Sequence, residues 1–147
     1  MAVRLSDAAS IDDCAIYNSE APILGHRRAV FVVDDDPGML RSLKRLLREY
    51  GFDAVLFESA QAFQREANLD DAFCVVLDIN LADGSGIELR HRLSGSGISL
   101  PVIFITGNDS DATREAALAS GCSAYLTKPF PAQTLIDPIQ KAAAALA

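Results

Sequence analysis

Residues 29–37 read AVFVVDDDP: five apolar residues run straight into three carboxylates and a proline. So short and continuous an apolar run is the pattern of a strand covered on both faces, because a strand with one wet face would alternate. Pro37 suits the first turn of a helix, where its missing N–H goes unused, and Asp36 is placed to cap that helix. The remaining charges need a separate reason. Like carboxylates repel, and burying an unpaired charge is costly, so Asp34 and Asp35 at the end of a buried strand require a cation.

The same strand-then-helix alternation continues along the chain. Leu40, Leu43, Leu46, Leu47 and Tyr50 recur at spacings of three and four, and Gly51 is placed to stop that helix. DAVLF (53–57) predicts a second strand, with Ser59 capping a short helix to about Ala67. FCVVL (73–77) predicts a third strand, and Ser85 with Glu88 predicts a capping box for a helix to about Leu93. PVIFI (101–105) predicts the fourth strand, followed by a helix over 110–120 that ends at Gly121. SAYLT (123–127) predicts the fifth, and Pro131 opens a final helix. Within that helix Asp137 and Pro138 predict a kink or break, since proline lacks a backbone donor and crowds the preceding turn. Five strands alternating with five helices predict an α/β fold, a doubly wound parallel sheet with helices on both faces. Residues 1–27 show no sustained period and are expected to form a disordered leader, leaving 28–147 as one domain.

The 147 residues carry a formal net charge of −7. That balance argues against binding a phosphate backbone, so no direct nucleic-acid contact is expected. The cations of the first helix (Arg41, Lys44, Arg45, Arg48) read as a solvated face. No apolar stretch approaches the ~20 residues that span a bilayer. The N-terminus is also too polar and acidic for a secretory signal, so a cytoplasmic location without membrane insertion is expected. Cys14, Cys74 and Cys122 show no metal-ligand spacing; Cys74 and Cys122 read as small buried side chains in a reduced compartment.

In open parallel sheets, ligands bind beyond the carboxyl ends of the strands. There the first predicted strand delivers Asp34, Asp35 and Asp36, the third Asp78, the fourth Thr106 and the fifth Lys128. Hard Mg²⁺ takes oxygen ligands from one or two carboxylates, completed by water and phosphate oxygens. The carboxylates of strands one and three supply such ligands, and the ion removes their repulsion. Asp78 is then the candidate nucleophile, because a carboxylate can take phosphate as an acyl phosphate. Thr106 can donate a hydrogen bond to a phosphoryl oxygen and Lys128 can neutralise charge. Gly84 and Gly86 flank a turn, and no P-loop or GxGxxG is present.

VVDDDP (32–37), VVLDINLADGSGIEL (75–89), FITG (104–107) and AYLTKPF (124–130), in this order and spacing, resemble the response-regulator receiver domain of two-component signalling. The resemblance covers residues 28 to 146 and implies a flavodoxin-like sheet with strand order 2-1-3-4-5. It implies that Asp34 and Asp35 form the acidic pair at a Mg²⁺ site, Asp35 being the direct ligand. By the same token Asp78 is the phosphoacceptor, and Asn80 offers the metal its backbone carbonyl. Thr106 matches the switch hydroxyl, Lys128 the lysine that precedes a cis peptide to Pro129, and Tyr125 the aromatic that rotates inward on activation. Leu81-Ala82 replaces the Met-Pro common after the phosphorylated strand, a change expected to loosen that loop without touching the chemistry. The first helix and its flanks look most like receivers that precede helix-turn-helix output domains.

The expected protein is a stand-alone receiver rather than an enzyme with an external substrate. It takes a phosphoryl group from a histidine kinase, or from a histidine phosphotransfer protein, and signals through protein–protein contacts. A phosphate sink or relay intermediate is the alternative, followed by an unphosphorylated scaffold and a Mg²⁺-dependent phosphohydrolase. The last lacks the second acid such enzymes carry, since Asn80 stands there. A homodimer through the fourth helix, fifth strand and fifth helix is the association the resemblance offers, and Pro138 lies in that face.

Overall fold

A computed structural model describes residues 28–146, so the expected leader lies outside the described residues. The elements are β1 (Ala29–Val33), α1 (Pro37–Glu49), β2 (Ala54–Phe57), α2 (Ala60–Glu66), β3 (Ala72–Asp78), β4 (Asn80–Leu81), β5 (Gly84–Ser85), α3 (Gly86–Gly95), β6 (Val102–Thr106), α4 (Asp111–Ala119), β7 (Ala124–Thr127) and α5 (Ala132–Ala144). One turn of 3₁₀ helix, Leu69–Asp71, precedes β3. The main sheet is ordered β2-β1-β3-β6-β7 with every pair parallel. Counting its five strands alone, this is the expected 2-1-3-4-5 order. β4 and β5 form a separate antiparallel ribbon, pairing Asn80 with Ser85 and Leu81 with Gly84.

Strand alternation divides the apolar residues between two cores. Phe31 and Val33 of β1, Val75 and Leu77 of β3, and Phe104 of β6 meet Phe63 of α2 and Leu89 and Leu93 of α3. Val30 and Val32, Cys74 and Val76, and Ile103 and Ile105 point to the opposite side, against Leu40, Leu43 and Leu47 of α1 and Leu135, Ile136 and Ile139 of α5. Each central strand therefore has no wet face, which is why its sequence does not alternate. Phe57 and Phe63 meet edge to face at 5.2 Å between ring centroids, a geometry worth about 1 kcal/mol beyond the area buried.

The helix boundaries follow their caps. The Gly38 amide donates to Asp36 Oδ1 at 2.9 Å, so Asp36 starts α1 as its position predicts. Gly51 takes φ 84°, a conformation glycine adopts without a Cβ penalty, and closes the same helix. Tyr50 leaves the buried stripe: it is the cap residue and is exposed, because the helical period ends one residue earlier. At α3 the capping box is incomplete, since Ser85 Oγ accepts from the Ile87 amide rather than from that of Glu88. Cys74 is buried as expected, whereas Cys122 is only half-buried.

Of the kink or break expected at Pro138, the break does not occur: α5 runs as one helix from Ala132 to Ala144. An interior proline costs about 3 kcal/mol. Against that, Leu135, Ile136 and Ile139 are fully buried on the sheet, each contributing about 1.5–3 kcal/mol. The carbonyl that loses its helical donor, that of Thr134, belongs to an exposed residue where water can take the bond. Packing wins over the local rule.

Candidate functional site

Four strands of the main sheet end at one place. Asp34 follows β1 and is fully buried, Asp78 ends β3 at 4 % exposure, and Thr106 ends β6 fully buried. Lys128 follows β7 and reaches back across the sheet edge. Its Nζ donates to Asp34 Oδ2 at 3.0 Å and to Asp78 Oδ2 at 3.1 Å. Carboxylate oxygens of Asp34, Asp35 and Asp78 all lie within 4.8 Å of one another. One ammonium, paired with Asp34 and Asp78, faces three carboxylates, so the cluster keeps an excess of negative charge. An all-oxygen set of this charge fits a hard divalent cation and does not fit a soft metal.

Backbone amides hold each carboxylate in place. Asp34 Oδ1 accepts from the Asp36 amide at 2.9 Å, and Asp78 Oδ1 from the Asn80 amide at 3.0 Å. Exposed Asp35 accepts at Oδ2 from the Ala82 amide at 2.8 Å. Burial raises the Asp78 carboxyl above its ordinary range and the charge of Asp34 adds to the rise, while the Asn80 amide and Lys128 oppose it. For Lys128, burial works against the charged form, but hydrogen bonding and charge from Asp34 and Asp78 prevail and its pKa is raised. The Lys128–Pro129 peptide is cis.

Thr106 is tied to β4 and to the loop before α4. Its hydroxyl donates to Asn80 Oδ1 at 2.9 Å and accepts from the Asn108 amide at 3.0 Å. Tyr125 stands apart from the carboxylates. Its hydroxyl donates to Asp109 Oδ1 at 2.7 Å, and the Arg114 guanidinium lies 5.7 Å from its ring centroid. Arg114 also pairs with Asp109. Desolvation first, then the hydrogen bond to Asp109, push the Tyr125 phenol up to about 12.

The site has groups that sequence reasoning did not single out. Asp83, in the β4–β5 turn, accepts from the Ala60 amide at 3.1 Å and the Gln61 amide at 2.9 Å. Asp109 and Arg114 hold Tyr125 as just described. The reading of Leu81-Ala82 is also corrected: the Ala82 amide binds Asp35, so the loop is tethered to a site carboxylate. A proline in its place would have no N–H to donate. A cleft of about 510 Å³ opens beside Asp35 and Asn80, between Leu81 and Ile87 on one side and Ala112 and Ala116 of α4 on the other. It stays open because that side of α4 carries small residues.

Gly86, the first residue of α3, packs on the backbone of the candidate nucleophile. A Cβ built there falls 2.4 Å from the Asp78 carbonyl oxygen, closer than real contacts allow. Gly86→Ala is therefore expected to displace the Asp78 backbone and lower stability by about 1–3 kcal/mol. Chemical denaturation checks this; unchanged stability would mean that the strand end yields freely.

The fold and the polar strand ends together define a signalling receiver, and direct comparison agrees. The family model of the response regulator receiver domain matches residues 30–140, and the chain belongs to that family. Nodulation protein W of Bradyrhizobium diazoefficiens is 38 % identical over 120 residues, covering 78 % of this chain and 53 % of that protein. The transcriptional regulatory protein TdiR of Thauera aromatica is 35 % identical over 126 residues, covering 85 % of this chain and 55 % of that protein. The chain thus spans about half the length of the curated relatives it matches. Among solved structures, a response regulator receiver protein from Pseudoalteromonas atlantica superposes with a TM-score of 0.77 at 26 % identity, covering 81 % of this chain and 99 % of that one. Among the described residues, no helix is long and apolar enough to cross a membrane.

Proposed function

We propose that this domain is a phosphorylation-dependent switch. Asp78 accepts a phosphoryl group from the phosphohistidine of a histidine kinase or a histidine phosphotransfer protein, in the cytoplasm, and the domain signals through protein contacts. The observation that carries the reading is the convergence of Asp34, Asp35, Asp78 and Lys128 at one sheet edge, with Thr106 ending the adjacent strand. Asp34, Asp35 and Asp78 would hold Mg²⁺, with Asn80 adding its carbonyl, and the bound ion would supply positive charge against the incoming phosphoryl oxygens.

In the transfer, an Asp78 carboxylate oxygen attacks phosphorus, the P–N bond to the donor imidazole breaks, and its electron pair returns to the imidazole nitrogen. Lys128 sits on the carboxylate that becomes the acyl phosphate and remains near the charge that the phosphoryl group brings. The hydroxyl of Thr106 must then exchange Asn80 Oδ1 for a phosphoryl oxygen. That exchange draws the β6–α4 loop inward, and Tyr125 loses Asp109 and follows, which shifts an existing equilibrium.

Incubation with acetyl phosphate and Mg²⁺ tests the reading. Intact mass should rise by one phosphoryl group, and a chelator should prevent it; no gain at saturating donor would sink the proposal. Thr106→Ala separates acceptance from switching. It should still take the phosphoryl group, yet the Tyr125 ring resonances should stay at their unphosphorylated positions. A parent-like shift in that variant would remove Thr106 from the coupling.

A further inference from the structure

The loop after Asp78 is anchored at two successive residues. Ala82 gives its amide to Asp35, and Asp83 takes the amides of Ala60 and Gln61 with its two carboxylate oxygens. Ser59 already caps α2 by accepting from the Ala62 amide at 3.0 Å, so Asp83 satisfies donors at the start of that helix which Ser59 leaves free. Those two bonds hold the Asp83 carboxyl below the ordinary carboxylate range, and it stays ionised at neutral pH. Ala82 and Asp83 form the turn of a ribbon only two residue pairs long, so the place of one fixes the place of the other. Asp35, by contrast, is exposed, and its hydrogen bond among the described residues is the one from Ala82.

We propose that Asp83 is a positioning residue for the cation site: by anchoring the ribbon turn to the start of α2, it holds the Ala82 amide, and through it the Asp35 carboxylate, beside Asp34 and Asp78. The inference rests on the Mg²⁺ reading above. It assigns to an exposed turn residue, outside the carboxylate cluster, control over how well that cluster is organised before an ion arrives. Partners that orient a metal ligand without touching the metal commonly change affinity by ~10-fold or more.

The test is a Mg²⁺ titration of the full chain without any phosphodonor, followed through backbone amide shifts. Asp83→Ala should weaken Mg²⁺ binding by about tenfold, and Asp83→Asn, which keeps one acceptor oxygen, should fall between that variant and the parent. Exchange of the Ala82 amide with solvent should quicken in Asp83→Ala. Ser59→Ala removes the other α2 cap and leaves the ribbon anchored, so its Mg²⁺ affinity should match the parent. Parent-like affinity in Asp83→Ala overturns the inference alone, as does an equal loss in Ser59→Ala, which would make the effect one of helix stability. A parent chain that shows no Mg²⁺ response overturns the cation reading and this inference together.

Discussion

Asp78→Asn is expected to lose phosphorylation completely and, with Mg²⁺ withheld, to melt a few degrees above the parent. The two results share one cause. Asp78 is buried beside the fully buried Asp34, and a single ammonium serves both. Its carboxyl is raised first by burial and then by the Asp34 charge, so ionised Asp78 is less favourable in the folded chain than in the unfolded one. The sign follows from linkage. A group raised on folding adds stability below its unfolded pKa, and that contribution is lost as pH rises through the folded value. The stability gap between Asp78→Asn and the parent should therefore widen as pH climbs from the ordinary carboxylate range through the raised value. Thermal melts in chelator across that window measure the gap. A variant less stable than the parent at neutral pH would show that Lys128 more than compensates the paired carboxylates. A gain in stability on removing a functional group is the usual mark of a site held against its own folding preference.

Lys128→Ala should have the opposite effect on stability, and a large one. The ammonium bridges two carboxylates that have almost no contact with water, and removing one partner of a buried pair leaves the other charges uncompensated, at about 3 kcal/mol. Denaturant unfolding at neutral pH in chelator should show that loss. Added Mg²⁺ should restore part of it in Lys128→Ala and give less to the parent, since the divalent charge takes over the role of the ammonium. A loss below about 1 kcal/mol would put the bridge in the class of solvent-screened surface pairs. The raised pKa of Lys128 carries its own sign: this stabilisation holds through neutral pH and fades only as pH rises through the folded lysine value.

Strand ends were legible in the sequence because each buried strand is a short apolar run, and whatever polar residue follows it must lie at the sheet edge. Asp34, Asp78, Thr106 and Lys128 could be read that way, and they meet there. Asp36 as a cap and Gly51 as a stop were equally local. What escaped depends on partners distant in the chain. Asp83 looks like any turn residue, and its partners are 22 and 23 residues away. The partner of the Ala82 amide is 47 residues away, so its loop was expected to be loose. Asp109, just ahead of the Ser110 cap of α4, reads as a loop residue, although it accepts from Tyr125 on β7. Pro138 shows the converse: the backbone rule allowed a break, but three fully buried side chains on the same helix keep it continuous.

α4 buries a single residue, Ala117, and turns Leu118 toward water at 57 % exposure. α1, α3 and α5 each bury two or more leucine or isoleucine side chains; α4 buries one methyl group, and its Arg114 reaches Tyr125 and Asp109. Among the described helices it buries the fewest apolar side chains, and local openings of low free energy are drawn from such elements. On the proposed reading, a phosphoryl group at Asp78 need not deform the rigid centre of the domain to be noticed outside it. It needs only to change the hold on a helix that was lightly fastened from the start.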